Sequence, residues 1–172
     1  PLVPLAKDVR HFMWRVGAMQ EEALSVAKAW GFTLKAELIW VKTTMEDLPL
    51  LLDGDGEVEL NTKLLGVKRM NNLHFGMGHQ VRYAHETCLI VNRGNPERMG
   101  HVRSVFFAPV PRHTDGPKKG KPIHSRKPDK FYDIVESISP GPYHSMFSRV
   151  HRPGWTCEGD ELDEGSLFAE AS

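Results

Sequence analysis

The chain of 172 residues lacks the features that define several common protein classes. It has only two cysteines, Cys88 and Cys157, and we interpret both as reduced core residues of a cytosolic or nuclear protein. It has no apolar run of the ~18 residues that are needed to span a bilayer. It has no excess of charge, because 22 basic residues balance 22 acidic ones. These absences exclude a disulfide framework, a transmembrane helix and the uniformly positive surface of a protein that coats nucleic acid.

Several cofactor and metal motifs are also missing. Gly76 and Gly78 form a G-x-G pair, but the full dinucleotide fingerprint and the P-loop lysine are absent. The serine hydrolase elbow G-x-S-x-G does not occur. The acidic run at 53–57 is similar to the start of a calcium loop, yet Val58 and Leu64 replace the glycine and glutamate that such a loop requires. Nicotinamide, nucleoside triphosphate and serine hydrolase chemistry are therefore unsupported, and no metal site is predicted.

The sequence does contain β-rich runs that alternate with two amphipathic helices. One helix has apolar residues at i, i+3, i+4 and i+7 from Ala23 and ends at Gly31. The other has Pro128 and Asp129 in its first turn and repeats the same spacing from Phe131. Strand, helix and strand with short joints predict a crossover and an α/β sheet. Strands are predicted over 11–16, 36–42, 86–91, 102–107, 143–150 and 155–158.

The length and composition fit a single globular domain over 1–172. The Leu-rich and acidic stretch 44–73 loses the periodic pattern and is predicted to be a surface insertion. Residues 164–172 are predicted to be a frayed tail. Because the chain opens on Pro1 and reads there like the middle of a domain, we expect the N-terminal part of the domain to be missing from it.

Lys127 stands directly before the second predicted helix, whose first amide groups have no partners inside the helix. The positive charge of a lysine there has the same sign as the partial charge of the helix N-terminus. Its presence is explained if a carboxylate or phosphate binds between the two. The alternative is a solvated lysine in a basic loop. The turn from His124 to Asp129 is therefore a candidate anion site.

A second candidate site lies close to the end of the fifth predicted strand. Arg149, His151 and Arg152 stand there, at the kind of sheet edge where ligands bind in open α/β sheets. Arginine can fork onto carboxylate or hydroxyl oxygens, and Asp160 and Glu161 supply acceptors that suit ribose hydroxyls. The alternative is an exposed polar loop.

Other residues are candidates for contacts with a substrate. His79 follows the glycine pair, and Glu86 opens a strand, where a carboxylate can be held rigidly toward a pocket. The loop between Pro109 and Lys127 is the most basic segment of the chain, although a merely solvated loop would have the same composition. The candidate phosphate contacts are Arg82, Arg112, Lys118 and Lys119.

An ordered set of short motifs covers nearly the whole chain outside the predicted insertion. One such motif alone is weak, whereas all of them in this order are specific. They are Trp30-Gly31-Phe32, Ile39 to Thr43, Gly76 to His79, His85 to Leu89, Arg93 to Pro96, His124 to Asp129 with Tyr132 and Glu136, Ser139 to Gly141, Met146 to Arg149, Gly154-Trp155 and Gly159 to Glu161.

This set resembles the MT-A family of adenine N(6)-methyltransferases, which includes the mRNA adenosine methyltransferases and bacterial and phage DNA enzymes. The resemblance implies an α/β fold, a class I (Rossmann-like) methyltransferase sheet with helices on both faces and a permuted motif order. It implies S-adenosyl-L-methionine as cofactor, with Lys127 on its methionine carboxylate. The other implied cofactor contacts are Phe147, Arg149, His151 and Arg152 around the sugar and methionine parts, and Asp160 and Glu161 on the ribose hydroxyls.

The implied reaction is direct methyl transfer to the N(6) amine of adenine in DNA or RNA, with Glu86 near the acceptor base. The neutral charge and compact length favour DNA slightly. The family's Asp-Pro-Pro-Trp element does not occur in the chain, and family order puts it upstream of Pro1. If that element does not exist, the chain is an inactive family member that acts as a nucleic-acid-binding or scaffold subunit; a methyltransferase for small molecules or proteins is a more distant alternative.

The same resemblance sets the expected partners and compartment. The partners are adenine-containing DNA or RNA and a related subunit in a homo- or heterodimer, with no membrane partner. The compartment is the cytoplasm of a bacterial or phage-infected cell, or the nucleus if the source is eukaryotic.

Overall fold

The computed structural model describes residues 6–43, 73–74, 80–160 and 162. These residues form two compact units: the described residues up to Pro96 together with Arg103–Val110, and Glu97–Val102 together with the described residues from Pro111 onward. The predicted insertion, apart from its last residue Leu73, and the predicted tail lie outside the described residues. The single domain and the missing N-terminal part remain predictions.

The first unit is a four-stranded mixed sheet with one helix. Its strands are β1 (Val9–Arg15), β2 (Thr33–Thr43), β3 (His85–Arg93) and β4 (Val105–Pro109), and helix α1 (Gln20–Ala29) joins β1 to β2. The order across the sheet is β1-β3-β2-β4, where β3 is antiparallel to both of its neighbours and β4 is parallel to β2. Because β1 and β2 run in the same direction, the predicted crossover is confirmed, but β3 lies between its two strands.

The central strand β3 is buried on both faces. Cys88 and Leu89 are consecutive, point to opposite faces and are both fully buried. Cys88 is buried in the core as predicted, whereas Cys157, which was predicted to be a core residue too, is only half-buried. On β2 the indole Nε1 of the buried Trp40 donates a hydrogen bond of 2.8 Å to the Ala108 carbonyl oxygen, so this large side chain leaves no unsatisfied donor.

Helix α1 packs on the sheet through part of the predicted stripe: Ala23 and Ala27 belong to the packed cluster, whereas Val26 is exposed. Ala27 is buried against Leu89 and Val91, and Leu24 packs against the same cluster. The predicted stripe continued to Trp30, but Trp30 is 44% exposed. Helical spacing predicts several overlapping stripes, and the position of the sheet decides which one is buried. Gly31, at φ +80°, ends the helix as predicted.

The second unit contains helix α2 (Asp129–Ile138) and a parallel pair of strands, β5 (Tyr143–Met146) and β6 (Trp155–Glu158). The helix buries Phe131, Tyr132, Val135 and Ile138, so its predicted apolar face is confirmed except that Tyr132 is more buried than Ile134. The predicted strand 143–150 was too long, since the backbone leaves the extended conformation at Phe147. No helix within the described ranges is long and apolar enough to cross a membrane.

Candidate functional site

A concavity of ≈ 120 Å³ lies directly after the carboxyl ends of β5 and β6. Ligands commonly bind beyond the carboxyl ends of parallel strands, because loops diverge there. Three of the residues predicted to bind a ligand meet in this concavity, although they are up to 13 positions apart in sequence. Its lining residues are Phe147, Ser148, Arg149, Gly159 and Asp160.

Close backbone packing between Ser148 and Gly159 forms the floor of the concavity. The Ser148 amide donates a hydrogen bond of 2.8 Å to the Glu158 carbonyl oxygen, and the Ser148 hydroxyl donates one of 2.8 Å to the Val150 carbonyl oxygen. A Cβ on residue 159 would overlap the Ser148 carbonyl oxygen and come within 2.8 Å of the Ser148 nitrogen. Only glycine allows the two segments to approach so closely.

Phe147 presents its ring to solvent at the edge of the concavity. Its backbone has φ 58°, in the left-handed region, and the residue is 86% exposed. This conformation costs a residue with a side chain about 1–2 kcal/mol, and burial of the ring does not offset the cost. An aromatic residue held in this way is a surface on which a flat ligand can stack.

The polar lining of the concavity combines both charges. Arg149 is half-buried and makes further polar or ring contacts, whereas Asp160 is exposed. A guanidinium can donate to carboxylate or hydroxyl oxygens, and a carboxylate can accept from hydroxyl groups. Together with the Phe147 ring, the site can hold a ligand that has a flat ring, hydroxyl groups and an anionic end.

Arg152, another of the predicted cofactor contacts, binds helix α2 instead. Its Nε and Nη2 donate to the two carboxylate oxygens of Glu136 at 2.7 and 2.9 Å, and Nη2 also donates to Asp133 Oδ1 at 2.6 Å. These contacts lower the pKa of Glu136 and raise that of the Arg152 guanidinium. Arg152 thus secures the segment between β5 and β6 to the helix, a role that we did not predict.

The same carboxylate also anchors β6. The indole Nε1 of Trp155 donates to Glu136 Oε1 at 2.6 Å, and its ring stacks on Tyr143 with centroids 4.8 Å apart. Burial raises the pKa of Tyr132, whose ring lies 5.3 Å from the Arg152 guanidinium carbon. Glu136 is part of the ordered sequence motifs, but its anchoring role was not predicted, although an acidic face on α2 was visible at residues 129, 133 and 136.

The predicted anion turn precedes α2 as expected. Pro128 is the N-cap, and no side chain caps the first amide groups of the helix. Ser125 has φ 63°, so the turn is held in an uncommon conformation. Lys127 is half-buried and makes a polar or electrostatic contact, while Arg126 Nε is buried with no hydrogen-bond partner in the described part of the chain. Cationic donors therefore cluster beside a positive helix end.

Glu86 belongs to the first unit, where it is the second residue of β3. Its Oε1 lies 2.7 Å from Lys42 Nζ, and the side chains of Lys42 and Glu86 are 14% and 27% exposed. The ion pair fixes the orientation of a carboxylate at a strand end, which matches the rigid setting that we predicted for it.

The remaining predicted residues have simpler surroundings. His151 is half-buried and Arg82 is exposed, whereas His79 and Glu161 lie outside the described residues. Arg112 Nη1 donates to the Gly120 carbonyl oxygen at 2.6 Å, so this side chain closes its own loop. Lys118 and Lys119 are exposed on the same loop.

Comparison with known proteins agrees with the ordered sequence motifs. The MT-A70 family model matches residues 60–161, more than half of the chain. The chain is 31% identical over 164 residues to the N(6)-adenosine-methyltransferase MT-A70-like protein of Drosophila melanogaster, which covers 92% of this chain and 22% of the relative. It is 29% identical over 157 residues to the N(6)-adenosine-methyltransferase catalytic subunit METTL3 of Homo sapiens. This match covers 88% of this chain and 21% of the relative.

A plant relative gives the same result. The N(6)-adenosine-methyltransferase MT-A70-like of Arabidopsis thaliana is 27% identical over 169 residues, which covers 96% of this chain and 20% of the relative. The chain thus spans about a fifth of the length of the curated relatives that it matches. The family resemblance drawn from the ordered motifs is confirmed: the chain belongs to the MT-A70 family.

Proposed function

We propose that this protein transfers a methyl group from S-adenosyl-L-methionine to the N(6) amine of adenine in a polynucleotide. The observation that carries the proposal is the concavity that gathers Phe147, Arg149 and Asp160. The relatives are named N(6)-adenosine-methyltransferases, which supports the adenine acceptor and, because adenosine is a ribonucleoside, favours RNA. Our sequence-based preference for DNA has no support from them.

The mixed sheet supports the coarser part of the expected fold. We propose in addition that it is a class I methyltransferase sheet with helices on both faces and a permuted motif order. β5 and β6 form a separate parallel pair in the second unit, and the concavity at their carboxyl ends lies where ligands of open α/β sheets bind.

The residues of the concavity fit the proposed cofactor chemically. S-adenosylmethionine has a flat adenine, a ribose diol and a methionine part with a carboxylate. The exposed Phe147 ring can stack on the adenine, the Asp160 carboxylate can accept from the ribose hydroxyls, and Arg149 can donate to oxygen atoms. His151, Glu161 and the Lys127 ammonium are proposed as further contacts, with Lys127 on the methionine carboxylate.

When bound, the cofactor supplies an electrophilic methyl group on a sulfonium. The contribution of the chain is to bind, orient and position, because the adenine amine is a weak nucleophile whose lone pair is delocalised into the ring. Glu86 is proposed on the acceptor side, where its carboxylate, held by Lys42, can accept a hydrogen bond from the amine N–H. Arg152 and Glu136 act indirectly by holding the segment that carries Phe147 and Arg149.

The proposal also includes a partner subunit. The human relative is named a catalytic subunit, which supports a second subunit for this protein too. Size-exclusion chromatography with light scattering, on the protein alone and after capture from its source, distinguishes a monomer, a homodimer and a heteromer.

The first experiment measures cofactor binding by calorimetry and then methyl transfer with radiolabelled cofactor. Four oligonucleotides are used: RNA and DNA, each with and without adenine. We expect label only in adenine-containing strands, and mass spectrometry of the nucleosides should identify N(6)-methyladenosine or its deoxy form. Asp160→Asn should weaken cofactor binding, with the exposed Asp115→Asn as control. Cofactor binding without transfer would favour the inactive scaffold, and absence of binding would refute the proposal.

A further inference from the structure

The loop that precedes the anion turn concentrates the positive charge of an otherwise neutral chain. Residues 111–130 contain seven Lys or Arg and two Asp, whereas the whole chain has equal numbers of basic and acidic residues. Lys118, Lys119 and Lys121 are all exposed, and they stand within four consecutive positions. The charge is therefore local and accessible, as in a site for a polyanion.

Backbone hydrogen bonds hold this loop in a hairpin-like shape. The His113 amide donates to the Lys121 carbonyl oxygen at 3.0 Å, and the Gly120 amide donates to the His113 carbonyl oxygen at 2.8 Å. The base is closed by the Ile123 amide, which donates to the Pro111 carbonyl oxygen at 2.8 Å. A short 3-10 helix, Gly116–Lys118, forms the tip. Because the backbone is already ordered, the loop loses little conformational entropy when its lysines bind a ligand.

Arg112 has a different role from the lysines. Its Nη1 donates to the Gly120 carbonyl oxygen at 2.6 Å, across the width of the hairpin. The guanidinium thus ties the two sides of the loop together. Lys118, Lys119 and Lys121 have compact ammonium groups on flexible stems, which suits contacts with phosphates of varying position.

We propose that the hairpin 111–123 binds the sugar-phosphate backbone of the polynucleotide acceptor through Lys118, Lys119 and Lys121, with Arg112 as a positioning residue. This inference rests on the proposed function for the identity of the polyanion, and it assigns that polyanion a binding element separate from the cofactor concavity. Phosphate contacts of this kind do not depend on base identity, so the hairpin binds strands with or without adenine.

The test measures binding of a fluorescein-labelled, single-stranded oligouridylate by anisotropy over a range of salt concentrations, with the full chain. The triple variant Lys118→Gln, Lys119→Gln, Lys121→Gln is compared with a control triple variant, Lys7→Gln, Lys28→Gln, Lys35→Gln, which removes the same charge from exposed lysines of the first unit. The slope of log K against log salt is negative, and each lost phosphate contact should reduce its magnitude by about 0.7. The magnitude should therefore fall by about 2 in the hairpin variant and hardly change in the control.

Arg112→Gln separates positioning from direct contact. We expect it to weaken binding several-fold, because the hairpin loosens, and to leave the salt slope unchanged. A slope reduced by about 0.7 would show that Arg112 itself contacts a phosphate and would overturn its positioning role.

The outcomes also separate this inference from the proposed function. Equal effects of the two triple variants, or no binding by the unmodified protein, would overturn the hairpin site while leaving methyl transfer to be measured on its own. Oligonucleotide binding that depends on the hairpin, in a protein that shows no methyl transfer, would support the hairpin site and contradict the proposed methyltransferase activity. Cofactor affinity should be the same in all of these variants.

Discussion

Arg152 grips Glu136 at two points, with Nε 2.7 Å from Oε1 and Nη2 2.9 Å from Oε2. Such a forked contact fixes orientation as well as distance. Since Trp155 Nε1 donates to the same carboxylate at 2.6 Å, one side chain of α2 holds both the segment after β5 and the start of β6. The concavity lies just beyond these two strands, so its shape depends on a carboxylate that does not line it.

Replacing Glu136 by Ala should lower the free energy of unfolding by about 2 kcal/mol, because it leaves the Arg152 guanidinium with only the exposed Asp133 carboxylate and removes the acceptor of the Trp155 indole N–H. Urea unfolding measures this loss, and calorimetry should show weaker cofactor binding. The control is Asp133→Ala, which removes an ion pair to the same guanidinium from a side chain that is 64% exposed and should cost less than about 1 kcal/mol. Equal costs would contradict the role assigned to Glu136.

Replacing Phe147 by Gly should separate stability from binding. The left-handed backbone suits glycine, and the ring is 86% exposed, so the free energy of unfolding should rise by about 1 kcal/mol. Cofactor affinity should fall at least tenfold, by our proposal, because the stacking surface is lost. Chemical unfolding and calorimetry on the same preparation provide both quantities. A variant that is less stable, or that binds the cofactor normally, would refute this account of Phe147.

Replacing Gly159 by Ala should damage the concavity, because the added Cβ overlaps the Ser148 carbonyl oxygen. We expect at least a tenfold loss of cofactor affinity in calorimetry. Gly154→Ala is the control: unlike Gly159, Gly154 has positive φ, and a Cβ there meets nothing within 4 Å. It should therefore lose about 1 kcal/mol of stability from backbone strain and keep its affinity. Similar affinities for the two variants would count against the site.

Replacing Lys127 by Ala should weaken cofactor binding at least tenfold, since it removes the proposed partner of the methionine carboxylate from a positive helix end. The exposed Lys130, in the first turn of the same helix, provides the control with an equal change of charge. Titration with S-adenosylmethionine and with an analogue that lacks the carboxylate tests the assignment further. The loss should disappear with the analogue, and a loss of the same size would disprove the contact.

His11 should make the stability of the first unit depend on pH. Its ring lies 5.5 Å from the Phe32 ring, and burial lowers its pKa below the ordinary value of 6.5. The unfolded chain therefore binds a proton at higher pH than the folded one. The contribution of the neutral ring is complete above pH 6.5 and is lost as the pH falls from there toward the folded pKa.

The measurement is the free energy of unfolding between about pH 7.5 and about pH 5.5 for the unmodified chain and for His11→Phe. The phenylalanine keeps an aromatic ring but cannot take up a proton, so its stability should fall less over this range. His101→Gln, at an exposed position, should follow the unmodified chain. Parallel curves for all three proteins would show that His11 does not contribute.

Much of the architecture could be predicted because it depends on local pattern. The apolar stripe from Phe131 predicted α2, and all the predicted strands form, some with shifted ends. The insertion of β3 between β1 and β2 could not be predicted, since it depends on hydrogen bonds between distant segments. The buried face of α1 was predicted only in part, through Ala23 and Ala27, because the position of the sheet decides which residues of the helix it covers.

By itself the sequence determined the family, through the order of its motifs, and the residue types on which the proposed cofactor and polynucleotide sites depend. Only the tertiary structure decided which of these residues meet. In the folded chain, Phe147, Arg149 and Asp160 line one concavity, whereas Arg152 binds the acidic face of α2. The physical reason is that a side chain's chemistry is encoded at its own position, whereas its partner is set by the packing of segments far apart in the chain.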